Sequence, residues 1–126
     1  MNRKAAEVTA KWWRDRISNI NHDNGDNSQS SQMAGLFANL LAAKNPPTKE
    51  QLDKFEEALI DLICKDNIVE VHLDCDYSPC IILYEAAIAA GIDTSVFPWK
   101  VNTRTSENTL SISDGYCKPW VYIEIK

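Results

Sequence analysis

At 126 residues, 44% of them hydrophobic and 25% charged, the chain has the make-up of an ordinary globular domain with a formal net charge of −5. A single domain spanning residues 1–126 is expected, long enough to bury a core without metal or disulfide staples. No apolar run approaches the roughly 20 residues a membrane span needs. The opening M-N-R-K-A-A-E-V has basic residues with no apolar stretch behind them, so no secretory signal is expected either.

These features point to a cytoplasmic location, where Cys64, Cys75, Cys80 and Cys117 are expected to stay reduced. The cysteines form no C-x-x-C pair, which gives a zinc site little support. Through Ile20 the chain carries Arg3, Lys4, Lys11, Arg14 and Arg16 against Glu7 and Asp15, a balance of +3 that leaves −8 for the remainder. An acidic body argues against direct nucleic-acid binding and suits a basic partner surface.

The first helix is expected from Arg3 to Ile20, with Ala5, Val8, Trp12, Ile17 and Ile20 at helical spacing and Trp13 bordering that stripe. The polar run from Asn21 to Gln32 reads as a loop. It fails as an EF-hand: with Gly25 in the glycine position, Ile20 falls at the first ligand and Ser31 at the last. A second helix is expected over Gln32 to Ala43, its apolar side formed by Met33, Leu36, Phe37, Leu40 and Leu41. Pro46-Pro47 breaks the chain, and Thr48 with Gln51 makes a capping box for a third helix running to about Cys64. That helix buries Leu52, Phe55, Leu59, Leu62 and Ile63.

Val69 to Asp76 alternates as a strand, with Val69, Val71, Leu73 and Cys75 on one face and Glu70, His72, Asp74 and Asp76 on the other. Ser78 then reads as an N-cap and Pro79 as the first residue of a fourth helix ending at Ala90, with Gly91 as its C-cap. This helix is apolar almost all round and is expected to be the most buried. Three further strands are expected over Phe97 to Thr105, Thr109 to Asp114 and Trp120 to Ile125. The order predicts an α+β domain: three N-terminal helices, then β-α-β-β-β in a mostly antiparallel four-stranded sheet with helices on one face. The expected core comprises Val8, Trp12, Phe37, Leu40, Phe55, Leu59, Val71, Leu73, Ile82, Leu83, Ile88, Ile112, Val121 and Ile123.

Function is less legible than fold. His72, Asp74 and Asp76 share a strand face and offer carboxylate and imidazole to a divalent cation, but an ordinary wet strand face has the same pattern and no further ligand cluster converges there. No metal or other cofactor is therefore assigned. Cys80 at a helix start near His72 has the elements of a thiol–imidazole pair, although no orienting partner is visible and a small apolar role accounts for it as well. Lys100, Asn102 and Arg104 share one parity on the second strand, and Tyr122 and Glu124 share one on the fourth. Aligned with His72 and Asp74, they would give a mixed polar face. Cross-strand ion pairs explain the same residues. Trp99 and Trp120 read as core or core-edge residues. No phosphate-cradling glycine motif occurs, and no catalytic residue is assigned.

Several strings, W-W-R-D-R-I at Trp12, D-N-G at Asp23, K-F-E-E-A-L at Lys54, H-L-D-C-D-Y-S-P-C at His72, A-G-I-D at Ala90 and F-P-W-K at Phe97, occur in this order. Together the ensemble resembles small proteins of phages, prophages and other mobile elements of Firmicutes. The resemblance implies a class rather than a chemistry: accessory proteins that counter host defence by binding an effector or sequestering a signalling nucleotide. The expected function is accordingly a non-enzymatic, anti-CRISPR-like inhibitor that binds a bacterial defence protein, with Trp13 and Tyr77 as aromatic anchors and a homodimer as an option. The alternative is a sponge or hydrolase for a small nucleotide ligand, held by His72, Asp74, Asp76, Tyr77, Lys100, Asn102 and Arg104.

Overall fold

The computed structural model describes residues 1–18, 47–65, 69–115 and 118–125. In chain order the elements are α1 (Arg3–Ser18), α2 (Lys49–Cys64), β1 (Glu70–Asp76), α3 (Ile81–Ala90), a 3-10 turn (Thr94–Val96), β2 (Lys100–Ser106), β3 (Thr109–Asp114) and β4 (Val121–Glu124). The α+β class and the four strands are as expected. The helix expected from Gln32 to Ala43, with core residues Phe37 and Leu40, lies outside the described residues.

The sheet is an antiparallel meander in the order β1-β2-β3-β4. Alternation along β1 buries Val71, Leu73 and Cys75, and their cross-strand partners Thr105, Thr103 and Val101 are buried with them. Leu110 and Ile112 of β3 continue that face. The helices cover it. Thr9 of α1 donates its hydroxyl to the Ala5 carbonyl at 2.9 Å, which leaves its oxygen to accept from Thr105 at 2.7 Å. The Trp13 indole donates to Thr103 Oγ1 at 3.1 Å, and that hydroxyl donates onward to the Leu73 carbonyl at 2.7 Å. These buried hydroxyl and indole groups are thus satisfied in chains.

The buried residues of α1 are Ala5, Ala6, Thr9, Ala10, Trp13 and Ile17, so Ala5 and Ile17 are buried as expected but the stripe centres on Trp13 rather than Trp12; Ile20 lies outside the described residues. Trp13 is fully buried, whereas Val8 and Trp12 are half-buried. Spacing explains the correction, because Ala6, Ala10 and Ile17 stand at −7, −3 and +4 from Trp13. The small side chains let α1 approach the sheet closely, a signal that counting only large apolar residues overlooks.

The capping box at the start of α2 is formed as expected: Thr48 Oγ1 accepts from the Gln51 N–H, and Gln51 Oε1 accepts from the Thr48 N–H. Gln51 also donates through Nε2 to the Gly91 carbonyl at 2.8 Å, which ties the start of α2 to the end of α3. Leu52, Phe55, Leu59 and Ile63 are buried as expected, and Leu62 is half-buried. Arg14 of α1 bridges Asp53 and Glu56 of α2 at 2.6 and 2.9 Å, and these bonds, Glu56 foremost, raise the guanidinium pKa.

The β1–α3 junction departs from expectation. Ser78 is exposed and is not a cap, and Pro79 is not helical. The chain instead folds back on β1: the Asp76 N–H donates to the Ser78 carbonyl, the Cys80 N–H donates to the Asp74 carbonyl, and Cys75 faces Pro79 as a bridge. Cys80 becomes the N-cap of α3 and makes no side-chain cap bond. Gly91 ends the helix in the left-handed conformation, as expected. Nor is α3 the most buried helix: it packs on α2 but leaves Ile81, Tyr84 and Ile88 exposed. Ile82 is half-buried, and Val121 and Ile123 of β4 are exposed, so these expected core positions are also corrected. The described helices pack mainly on β1 to β3.

Candidate functional site

The second face of the sheet carries most of the residues singled out from sequence. Register aligns His72 with Arg104, Asp74 with Asn102 and Asp76 with Lys100 across β1 and β2. It then sets Arg104 beside Ser111, and Ser111 beside Tyr122. The polar rows of three strands therefore form one surface, as their shared parity implied.

Glu70 organises one end of it. Its Oε1 lies 2.7 Å from His72 Nε2 and 3.3 Å from Arg104 Nε. The Arg104 guanidinium in turn stacks on Trp120, 5.5 Å from the ring centroid. At the other end Lys100 Nζ lies 3.4 Å from Asp76 Oδ1. Both cations of the face are thus engaged by carboxylates. Counting Glu70, Asp74, Asp76 and Glu124 against Lys100 and Arg104 leaves the described face net acidic.

Between the rows is a shallow, open depression of about 230 Å³ lined by His72, Asp74, Asn102, Thr103, Arg104 and Trp120. Sites that enclose small ligands typically run from roughly 300 to 1,000 Å³, so this one would leave a nucleotide largely in water. Among the described residues no group of three or more His, Cys, Asp or Glu side chains converges as a metal site. His72 turns to Glu70 and Asp76 to Lys100, which draws the row of potential ligands apart.

Tyr77 stands at the corner where β1 turns away. Its φ of 66° is the one positive value among the described non-glycine residues. A bulky side chain in the left-handed region is strained, and such strain concentrates where a side chain must be displayed. The turn is held by the Tyr77 N–H, which donates to the Trp99 carbonyl at 2.7 Å. The two rings meet with centroids 6.5 Å apart. Tyr77, Trp99, Trp120 and Tyr122 are all exposed.

Two expectations for the site are corrected. Trp13 is a core residue bonded to Thr103 and is not available as an anchor. Trp99 and Trp120, expected at the core or its edge, are exposed, and Trp120 lines the depression. For Trp120 the signal was present, because it shares strand parity with Tyr122 and Glu124, which face outward. Trp99 precedes β2, where no alternation applies. The thiol–imidazole pair also lacks a geometric basis: His72 is on the open face and bound to Glu70, while Cys80 lies by Cys75 on the buried side. Burial, then the proximity of Cys80, pushes the Cys75 thiol up to about 12, so its reactive thiolate is essentially absent at neutral pH.

Among the described residues no helix is long and apolar enough to cross a membrane. No protein-family model matches the chain, and no curated protein shows significant similarity to it.

Proposed function

We propose that the chain is a non-enzymatic binding protein whose open sheet face docks a basic surface of a protein partner. The observation that carries this reading is the exposure of Trp120 and Tyr122 along a net acidic face, with a second exposed aromatic pair, Tyr77 and Trp99, at the corner where β1 turns away. Exposed aromatics framed by charge are the usual anchors of protein interfaces. The acidic surround would steer a basic partner and repel nucleic acid. Following the resemblance to proteins of mobile elements, the partner is a bacterial immune effector, and covering its functional surface inhibits it. Affinity capture from a bacterial lysate, run in parallel with a Trp99→Ala/Trp120→Ala double variant, tests this. One partner should be retained by the wild type and lost by the variant. Recovery of only nonspecific proteins, with no effect of the chain on phage plaquing, overturns it.

A second reading, sequestration of a small nucleotide, draws on the depression where Arg104 stacks over Trp120 beside His72 and Asn102. It ranks lower because Lys100 and Arg104 are already paired with carboxylates, and freeing them for phosphate costs those contacts. Thermal-shift screening against nucleotides with and without Mg2+ separates the two. No shift is expected; a stabilised melt without turnover would establish the sponge, and turnover would establish an enzyme.

A further inference from the structure

The two edges of the sheet are finished differently. At the C-terminal end of β1 two outward-pointing groups are taken up within the chain: the Asp74 carbonyl accepts from Cys80 and the Asp76 N–H donates to Ser78. That turn closes this end of the edge. At β4 the Ile125 N–H donates to the Asn108 carbonyl at 2.7 Å, which marks residue 125 as bonded inward to the neighbouring strand. Antiparallel bonding alternates along a strand. Residues 121 and 123, paired with Ile112 and Leu110, are therefore also bonded inward, and the N–H and C=O groups of Tyr122 and Glu124 point out from the edge. Neither is bonded to another described residue. The strand is short and Lys118-Pro119 precede it, but Val121–Glu124 itself contains no proline, bulge or lysine. Its helix-side residues Val121 and Ile123 are 58% and 40% exposed.

We propose that β4 pairs with β4 of a second copy of this chain, joining two four-stranded sheets into one. Only the even residues offer outward groups, so a two-fold pairing must set even against even. It follows that the odd rows also meet, Val121 and Ile123 of one copy against those of the other, and both helix layers fall on the same side of the joined sheet. An axis through residue 124 would set two carboxylates face to face. An axis through residue 122 would draw on Trp120, which lies before the strand. The axis through Ile123 keeps all four hydrogen bonds within strand residues, brings the two Ile123 side chains together, and places each Tyr122 hydroxyl opposite a Glu124 carboxylate. A second copy therefore matches the edge in hydrogen bonding, apolar pattern and charge at once.

Sedimentation equilibrium of the full chain tests the pairing, with an expected mass twice the 14.2 kDa of one copy. Tyr122→Pro removes an outward N–H and leaves the inward bonds of β4 intact; it should raise the dimer dissociation constant by roughly tenfold or more while the far-ultraviolet circular dichroism stays unchanged. Ile123→Cys sets the new thiols across the axis in a non-hydrogen-bonded pair, close enough for a disulfide. Mild oxidation should link its copies much faster than those of Glu124→Cys or the wild type. This comparison stands even if Tyr122→Pro fails to fold. A wild type that remains monomeric up to sub-millimolar concentration, a dimer that Tyr122→Pro does not weaken, or equal cross-linking of the two cysteine variants overturns the proposal.

Discussion

On β2, Thr103 and Thr105 face the helices, Thr103 accepting from Trp13 and donating to the Leu73 carbonyl and Thr105 bonding Thr9, while Asn102 and Arg104, one residue away along the same strand, face solvent beside ion pairs and exposed rings. Each face holds tryptophan and polar groups, but the inner one closes its threonine hydroxyls and the Trp13 indole on fixed partners and the outer one leaves aromatic surface open. Composition does not separate a stabilising face from a binding face; satisfaction of the polar groups and exposure of the rings do.

The largest expected effect sharpens that contrast. Trp13→Ala should cost about 3–5 kcal/mol in urea denaturation, through lost burial and a cavity between α1 and the sheet. Trp99→Ala and Trp120→Ala should each stay within about 0.5 kcal/mol while abolishing partner capture. Equal destabilisation by all three would erase the distinction between the faces. Next comes Thr103→Val, which preserves shape but leaves the buried Trp13 N–H without an acceptor. A loss of about 1–3 kcal/mol is expected, against near neutrality for Asn102→Ala on the opposite face.

A smaller effect is expected where α1 meets α2. Arg14→Met should cost about 1 kcal/mol or less in the same denaturation experiment, diminishing with added salt, because the Asp53 and Glu56 carboxylates it bridges remain partly solvated. The smallest effect has the opposite sign. Tyr77→Gly relieves a left-handed side chain worth roughly 1–2 kcal/mol and adds roughly 0.5–1 kcal/mol of chain entropy cost. A melt unchanged or raised by about 0.5 kcal/mol, together with weakened capture, would show that the strain serves display. A clear loss of stability would make the ring structural.

Sequence carried the fold where a local rule had no competitor. Alternation over Glu70 to Asp76 gave β1 and its two faces residue by residue, and Thr48 with Gln51 marked the start of α2. It failed where tertiary contacts choose between equivalent local options. The stripe of α1 was displaced because alanine and threonine do the packing beside Trp13. The apolar run of α3 held no periodicity to say that Ile81, Tyr84 and Ile88 would face outward. The start of that helix was misplaced because the return of the chain along β1 overrides the cap signal of Ser78-Pro79. For the site, parity assembled the charged rows across β1 and β2. Nothing local revealed that Glu70 would hold both His72 and Arg104, since that depends on register, nor that Trp99 would meet Tyr77 across a turn.

Gln51 caps its own helix with one side-chain atom and holds the last turn of α3 with another. The two helix ends are therefore one cooperative unit in opening: the first turn of α2 cannot fray without releasing the carbonyl of Gly91. Amide exchange should find the first turn of α2 and the last turn of α3 opening together, and Gln51→Ala should turn that single event into two independent ones.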